Sequence, residues 1–473
     1  MSFSSLSFVY LFLPLALGAV FIVPQGWRNG VLLVESLLFF AWGEPKFLLP
    51  LVGGCLFDYV IARKIRRYAD GAQRASGALC AVGVAANILA LGYFKYAGFA
   101  IGGVNAACVA LGLDFALPAV KVALPLGISF FTFQKISYLM DVRRGVVTPA
   151  PNFGRYLLYI MLFPQLTMGP IIRYHEIADQ FGHRQISAED FLQGLWRFAL
   201  GLARKTLVAG PLAGLSSAAF RATDGGAGLG AASAWIGLYA YTLQIYFDFA
   251  GYCDMAVGLG RMLGFRFPEN FDAPYIARDM AEFWRRWHIT LGAFMKEYLY
   301  IPLGGNRCSK ARSLLNNWIV FLVSGIWHGA SWNFVVWGAW HGIWIVFAKL
   351  FRPGRARFAG AAWTFLMVIF GWVFFAAADF QSASLYFRSL VGGGGPSLLG
   401  ELTPQATCAL AVGTLLSFLP AFLPKAGIAD WRTAPDSRAA SVWARTIATA
   451  LLILLATLPL LTSGFSPFIY NRF

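Results

Sequence analysis

The chain has 473 residues, of which 58% are hydrophobic and only 13% are charged, and its formal net charge is +16. Charged residues make up about a quarter of a typical soluble domain, so this composition excludes a water-soluble enzyme, a coiled coil and a disordered chain. The apolar runs are long and lack the alternating polarity of membrane barrel strands. The sequence therefore predicts an all-α, polytopic membrane helical bundle.

Five segments contain no Asp, Glu, Lys or Arg, and each is close to the ~20 residues that a helix needs to cross a bilayer. In chain order they are Leu6–Trp27, Leu229–Phe247, Phe358–Ala378, Gln405–Pro424 and Thr446–Phe465. Further candidates, interrupted by single polar residues, are Gly30–Leu49, Gly77–Phe94, Phe99–Leu117, Val122–Met140, Phe153–Ile172 and Phe191–Val208.

One further apolar run, Ser313–Ala348, is too long for a single crossing at about 1.5 Å per residue. Four glycines offer places to break it, namely Gly325, Gly329, Gly338 and Gly342. We expect two segments here, and about eleven to thirteen spans in all.

Basic residues occur in short clusters between the apolar runs, which indicates lipid head groups as their partners and excludes nucleic acid. The clusters are Arg63, Lys64, Arg66, Arg67 and Arg74; Arg143 and Arg144; and Arg352, Arg355 and Arg357. By the positive-inside rule, we expect them to face the cytoplasm. Residues 1–8 carry no basic side chain, whereas Arg28 follows the first span, so we expect an outside N-terminus and no cleaved signal peptide.

The six cysteines are scattered singly, and no pair of histidines is spaced for a metal site on one helix face. We expect the cysteines to be small core residues, with no metal site and no permanently bound cofactor.

The longest polar stretch, residues 268–312, carries a helical pattern. From Met280 to Tyr298, large apolar side chains recur at the spacing of one helix face, and charged residues lie opposite. Glu282 and Arg286 are spaced for an i, i+4 ion pair. The pattern predicts one amphipathic helix at the membrane interface, with His288 at the border of its apolar face.

His328 lies in the middle of a charge-free run, at membrane depth. A histidine there needs a polar partner or a water-filled cavity. Gly325 and Gly329 beside it allow a backbone or a substrate to approach closely. Desolvation keeps an imidazole neutral and able to accept a proton, which suits a general base; the alternative is a histidine bonded to a neighbouring helix.

The other histidines are assigned by position. His341 lies thirteen residues after His328, about 220° around a continuous helix, so both can face one site only if the helix breaks between them. His175 and His183 lie in a polar loop, where we expect them to be solvated. Asp248 and Asp254 flank Gly251, and we expect them to cap a broken helix or to pair with Arg261.

Seven motifs occur in order between about residues 35 and 350. They are Leu124–Gln134 with Tyr138 and Asp141; Leu162–Gln165 with Gly169–Ile171; Tyr246–Tyr252 with Asp254–Met255; Asn270–Phe271 with Pro274–Tyr275; Phe283–His288; Tyr300–Asn306; and Trp327–Gly329. With them the chain resembles the membrane-bound O-acyltransferase family, and within it the bacterial alginate O-acetyltransferase branch.

The resemblance implies a central tunnel through which an acyl group passes from a cytoplasmic thioester donor to an outer hydroxyl. His328 matches the family's central histidine and His288 its second. We hypothesise that His328 removes the acceptor proton and that His288 orients or assists. Relatives usually carry an Arg-Asp pair where this chain has Lys296 and Glu297, and a Ser where it has Ala250; we expect these departures to alter substrate or partner fit.

The remaining expectations rest on the same resemblance. We expect one integral-membrane domain over residues 1–473, with a catalytic core at 30–350 and C-terminal membrane helices at 351–473. The donor is acetyl-CoA or an acyl-carrier thioester. Arg285 and Arg286 either hold its phosphate or lie among lipid head groups. We expect periplasmic acetyltransferase or polysaccharide-complex proteins as partners, and the bacterial inner membrane as the location.

Two other classes of function compete with the enzyme. A transporter or flippase commonly shows internal repeats and paired broken helices, and neither is evident in the sequence. A non-catalytic scaffold of an exopolysaccharide secretion complex leaves a buried histidine unexplained.

Overall fold

The computed structural model describes residues 1–118, 120, 122–182, 184–351, 357–392, 394–422 and 439–463. In this part of the chain all regular elements are helical, apart from one isolated antiparallel bridge between Phe271 and Trp287, so the all-α prediction is confirmed. His183, Arg352 and Arg355 lie outside the described residues.

The described residues form two compact units, and the predicted single domain and its internal boundaries remain predictions. Unit 1 comprises Met1–Ser2, Ser7–Ser187 and Leu263–Phe267, and unit 2 comprises Phe3–Leu6, Ala188–Met262 and Pro268–Phe473.

The described residues of unit 1 form eight α-helices. They are α1 Leu13–Ile22, α2 Arg28–Gly43, α3 Pro45–Ala69, α4 Gln73–Ala110, α5 Ile128–Arg144, α6 Phe153–Met161, α7 Phe163–Leu166 and α8 Tyr174–Ile177. A π-helical turn, Phe8–Phe12, precedes α1, and 3-10 turns lie at Gln25–Trp27 and Ala178–Phe181.

A buried polar cluster joins α3, α4 and α5. Lys135 Nζ lies 3.0 Å from Asp58 Oδ2, and Asn87 donates to the other carboxylate oxygen at 2.8 Å. The carboxylate side chain is fully buried and the lysine side chain is 9% exposed. Breaking such a pair from one side leaves an uncompensated charge, so this cluster fixes how the three helices pack.

Unit 2 contains eleven α-helices within the described residues. They are α9 Ala188–Ala203, α10 Gly210–Asp224, α11 Ala231–Met262, α12 Met280–Arg286, α13 Ile289–Met295, α14 Lys310–His328, α15 Trp332–Phe351, α16 Arg357–Ala376, α17 Phe380–Val391, α18 Pro404–Phe418 and α19 Ala439–Ser463. Shorter π or 3-10 turns are Arg204–Ala209, Pro274–Ile276, Lys296–Tyr300, Leu399–Glu401 and Leu419–Ala421.

Helices α9 and α11 pack backbone to backbone along a glycine seam. A β-carbon on Gly194 would lie 2.7 Å from the carbonyl oxygen of Gly258, and one on Gly201 would lie 2.4 Å from that of Gly251. In the other direction, a β-carbon on Gly258 would lie 2.5 Å from the carbonyl oxygen of Gly194, and one on Gly251 would lie 2.6 Å from that of Gly201. Each helix therefore presents two small residues, seven positions apart, that let the backbones touch.

Ion pairs lie beside this seam and correct one prediction. Asp254 binds Arg197 at 2.6 Å and Arg204 at 2.5 Å, and Asp248 binds Lys205. Helix α11 is continuous through both aspartates, and Arg261 lies 3.3 Å from Asp190 in α9. The expected helix break and the expected pairing with Arg261 were therefore wrong, because the cations that neutralise these carboxylates come from the neighbouring helix and the turn after it.

Six helices among the described residues are long and apolar enough to cross a membrane. They are Pro45–Ala69, Gln73–Ala110, Trp332–Phe351, Phe358–Ala376, Pro404–Ala421 and Val442–Leu461. Fewer helices qualify than the eleven to thirteen expected from apolar runs. Two predicted spans merge in the 38-residue α4, and Phe153–Ile172 is split between the short helices α6 and α7.

Candidate functional site

The long apolar run breaks at His328, as the glycines predicted. Helix α14 ends at this residue, and α15 starts four residues later. A β-carbon on Gly325 would lie 2.2 Å from the backbone oxygen of Phe334, and one on Gly329 would lie 2.0 Å from the same residue's ring. On Gly338 it would lie 2.5 Å from the backbone of α14. Glycine thus allows a hairpin tight enough to bury the histidine at its turn.

Aromatic rings surround the His328 imidazole. Its centroid lies 4.8 Å from Trp327, 4.9 Å from Trp337 and 5.3 Å from Phe375, and all three rings meet it edge to face. The residue is 5% exposed. Three helices, α14, α15 and α16, therefore build a largely apolar wall around one polar ring, an environment that excludes water.

The predicted amphipathic helix is broken at His288, so its continuity was wrong. Helix α12 ends at Arg286, and His288 adopts the left-handed conformation, with φ +47° and ψ +54°. Two backbone hydrogen bonds hold this break open. Asp272 N–H donates to the Arg286 carbonyl at 2.9 Å, and Ile289 N–H donates to the Asn270 carbonyl at 3.0 Å. Pairing with the preceding segment replaces the helical hydrogen bonds.

The break turns His288 inward, where Asn270 holds its ring. Asn270 Oδ1 accepts hydrogen bonds from the Thr290 backbone N–H at 3.1 Å and from its hydroxyl at 2.9 Å. The same oxygen lies 3.2 Å from His288 Nδ1. Because a backbone N–H only donates, this oxygen is the acceptor, so Nδ1 carries the proton and Nε2 is the acceptor nitrogen of the ring.

His288 is 1% exposed, so it is not the border residue of an interfacial helix. Burial lowers the pKa of this histidine to about 3, and the ring is therefore neutral at physiological pH. A weakly basic, oriented imidazole is suited to accept a hydrogen bond. It is poorly suited to hold a full proton, for which a pKa near the working pH is optimal.

The structure places both predicted histidines, His288 and His328, next to the ring of Trp327. The Trp327 centroid lies 6.3 Å from His288 and 4.8 Å from His328. His341 joins the same group, because the helix break satisfies the condition under which it shares a site with His328. Both contact Trp337, at 4.9 Å for His328 and 4.8 Å for His341.

The two candidate phosphate-binding arginines differ in their surroundings. Arg286 binds Glu282 at 2.9 Å, as predicted from their spacing, and also Asp272 at 3.1 Å. Burial alone would raise the pKa of Glu282, but hydrogen bonds from Arg278 and Arg286 lower it to about 2. Arg285 is exposed and forms no ion pair with the residues that the structure describes, so it is the guanidinium that a phosphate can approach.

Two residues of this region were not singled out from the sequence for a role. Asn270 sets the His288 tautomer, and Trp337 links His328 to His341. Asn270 belongs to one of the motifs that carry the family resemblance, which is a usable signal; the position of Trp337 becomes informative only once the hairpin is known. His175, expected to be solvated, is one quarter exposed at its side chain and pairs with buried Asp141 at 2.7 Å.

Comparison with known proteins gives a consistent family. A family model described as MBOAT, membrane-bound O-acyltransferase family, matches residues 148–378. The chain is 37% identical over 506 residues to a probable alginate O-acetylase AlgI of Azotobacter vinelandii, with 100% of both chains covered. It is 40% identical to the Pseudomonas aeruginosa protein of the same name, covering 88% of this chain and 79% of the relative. A peptidoglycan O-acetyltransferase of Helicobacter pylori is 35% identical, covering 84% and 81%.

Proposed function

Because the chain belongs to the membrane-bound O-acyltransferase family and is a multi-pass membrane O-acyltransferase, we propose that it acetylates an exported polysaccharide. The donor is a cytoplasmic thioester, acetyl-CoA or an acylated carrier protein. The acceptor is a hydroxyl of an alginate-like polymer, reached directly or through a periplasmic partner enzyme. The names of the relatives, alginate O-acetylase and peptidoglycan O-acetyltransferase, support an acetyl group and a polymeric acceptor. The inner membrane gives access to both substrates.

The observation that carries the proposal is the burial of His328 at the turn of a glycine hairpin, in contact with three aromatic rings. In this proposal its imidazole takes the proton of the acceptor hydroxyl as the oxygen attacks the thioester carbonyl. The tetrahedral intermediate then collapses, the carbon–sulfur bond breaks, and the imidazolium returns the proton to the leaving thiolate. The aromatic wall keeps out water that would otherwise hydrolyse the donor.

His288 has a positioning role in this scheme. Its Nδ1–H is held by Asn270, so Nε2 is presented as a fixed acceptor. A fixed acceptor aligns a hydroxyl by accepting its hydrogen bond, and its low pKa makes it a poor holder of a full proton. Outside the buried site, Arg285 offers a guanidinium to a donor phosphate, whereas Arg286 is neutralised by Glu282 and Asp272.

The test is acetyl transfer by membranes that contain His328→Ala or His328→Gln protein at matched amounts. General-base assistance typically supplies ~10²–10⁴ in rate, so labelled acetyl incorporation into polymer should fall at least about a hundredfold. His175→Ala is the matched control, because it removes a histidine that pairs with Asp141 and has no part in the scheme. Near-normal incorporation by both His328 variants, with the protein intact in the membrane, would contradict the proposal.

A further inference from the structure

Four aromatic side chains next to the proposed site carry buried nitrogens that bind no described residue. Among the described residues, the indole N–H groups of Trp284, Trp337 and Trp372 have no hydrogen-bond partner, and neither ring nitrogen of His341 has one. Trp337 is 1% exposed, and Trp372 and His341 are fully buried. We refer to these four residues as the Trp337 cluster.

The four rings are neighbours. The Trp337 centroid lies 5.6 Å from Trp284, 6.4 Å from Trp372 and 4.8 Å from His341. Trp284 and His341 are also in contact, at 5.0 Å. Trp337 is in turn 4.9 Å from His328. The unsatisfied nitrogens therefore belong to a single group that borders the proposed base.

Such a concentration of unsatisfied donors is unusual, because buried polar groups in native proteins nearly always have a partner. Trp340, in the same helix as Trp337, follows that rule by donating to the Met367 carbonyl at 2.8 Å. The indole N–H of Trp344 is also unsatisfied, but that ring contacts Trp340, Phe347 and Trp363 and lies outside the cluster.

The chemistry of these groups limits what they bind. An indole nitrogen only donates, and a neutral imidazole donates from one nitrogen and accepts at the other. The cluster thus offers four N–H donors and one acceptor nitrogen, a balance that suits an oxygen with lone pairs. In acyl transfer, the oxygen that gains most from fixed donors is the acyl carbonyl, which becomes an oxyanion in the tetrahedral intermediate.

We infer that the Trp337 cluster binds the carbonyl oxygen of the transferred acyl group, with His341 and the indole N–H of Trp337 as donors to the oxyanion. The inference rests on the proposed function and extends it by assigning the groups that stabilise the oxyanion. His328 removes the acceptor proton, and the neighbouring donors stabilise the negative charge that develops on the carbonyl oxygen.

The backbone of α16 holds His341 in place. A β-carbon on Gly371 would lie 2.6 Å from His341 Nε2 and 3.4 Å from Trp340. Only glycine leaves room for the imidazole here, so packing sets the position of this ring, whose nitrogens bind no residue that the structure describes. Fixed donors of this kind stabilise charge without having to reorganise during the reaction.

The test compares variants that keep the ring with variants that keep the polarity. His341→Phe retains an aromatic ring without any donor, whereas His341→Gln retains a donor without the ring. Removing one oxyanion donor typically lowers kcat by ~10²–10³, and with other donors remaining we expect at least about a tenfold loss for His341→Phe. His341→Gln should stay within about threefold of the wild type, and the KM for acetyl-CoA or the acylated carrier should change little in either variant.

Trp337→Phe should also lose at least about tenfold in kcat. Trp344→Phe is the matched control, because it removes an unsatisfied indole N–H outside the cluster, and it should retain wild-type activity. If Trp337→Phe yields too little folded protein, the two His341 variants decide the question alone.

Equal or higher activity of His341→Phe relative to His341→Gln would overturn the inference, because packing alone then explains the residue. That result leaves the proposed function standing as long as the wild type transfers acetyl and His328→Ala does not. Absence of transfer by the wild type with both donors would overturn the proposed function and the inference together.

Discussion

His288 combines a strained backbone with a side chain that is held in one orientation. Its φ of +47° is shared by only one other described non-glycine residue, Ala273, with φ +43°. A left-handed conformation costs roughly 1–2 kcal/mol for a residue with a β-carbon. The strain persists because Asn270 and the backbone of residues 270–272 hold both sides of the break.

Replacing His288 by glycine or by alanine separates the effect of its backbone conformation on stability from the effect of its imidazole on activity. We expect His288→Gly to unfold at a higher temperature in detergent than His288→Ala, by the equivalent of about 1 kcal/mol, although both lose acetyl transfer. Ala273→Gly is the control, since it relieves the same conformation without removing a functional group, and it should retain activity. If His288→Ala proved the more stable of the two, the strained backbone would not be the property that matters there.

The low pKa of His288 makes stability depend on pH. An unfolded histidine titrates near pH 6.5, whereas burial lowers the folded pKa to about 3. Between these values the unfolded chain binds more protons, so the contribution is complete above about pH 6.5 and is lost as the pH falls towards 3. We expect the melting temperature of the wild type to fall more between pH 7 and pH 5 than that of His288→Asn.

His175 provides a control whose contribution to stability changes with pH in the opposite direction, because its hydrogen bond to Asp141 raises its pKa. Its contribution is present below about pH 6.5 and is lost as the pH rises through the folded pKa. His175→Asn should therefore steepen the fall between pH 7 and pH 5. A wild type and a His288→Asn variant with parallel pH profiles would show that the imidazole is not desolvated.

At the scale of the element, the two helix breaks show what sequence predicts and what it does not. The break after His328 was predicted because glycines mark it within the apolar run itself. The break at His288 was not predicted, because the apolar periodicity continues through it. The hydrogen bonds that favour the break come from residues 270–272, and the sequence around His288 alone does not predict that pairing.

The effect of a glycine-to-alanine substitution on stability should have opposite signs outside and inside the glycine seam between α9 and α11. Alanine is favoured over glycine in a helix by about 1 kcal/mol, so Gly214→Ala should stabilise the protein, since nothing lies within 4 Å of a β-carbon there. Gly201→Ala should destabilise it by about 1–3 kcal/mol, because the new methyl group meets the backbone of Gly251. Thermal unfolding in detergent measures both changes, and stabilisation of both variants would mean that the helices are not in backbone contact.

At the scale of the whole molecule, composition predicted the class correctly, but it predicted more apolar runs of membrane-crossing length than the six helices of that length among the described residues. Counting apolar runs assumes that each run is one crossing. In the structure, α4 absorbs two runs, and α6 and α7 divide one between short buried helices. Buried polar pairs such as Lys135–Asp58 also let charged helices pack inside the protein, which an average over composition cannot show.

Orientation in the membrane is testable at the two ends of α4. Gly71 and Asp114 are exposed and lie just before and just after this helix. In a variant whose exposed Cys408 is replaced by serine, we expect Gly71→Cys to react with an impermeant maleimide only from the cytoplasmic side, because it adjoins the cluster Arg63–Arg67. Asp114→Cys should react only from the opposite side. Labelling of both cysteines from one side would show that α4 does not cross.

The length of α4 has a practical consequence for imaging. Its 38 residues extend about 57 Å at 1.5 Å per residue. Even at the steep tilt of about 40° seen in membrane proteins, the rod rises about 44 Å, well beyond the ~30 Å of hydrocarbon. A crossing α4 must therefore extend beyond the hydrocarbon into the head-group region. In electron micrographs, a helix of this length should be recognisable by the turns that continue past the hydrocarbon, which makes α4 a useful marker for fixing the orientation of unit 1.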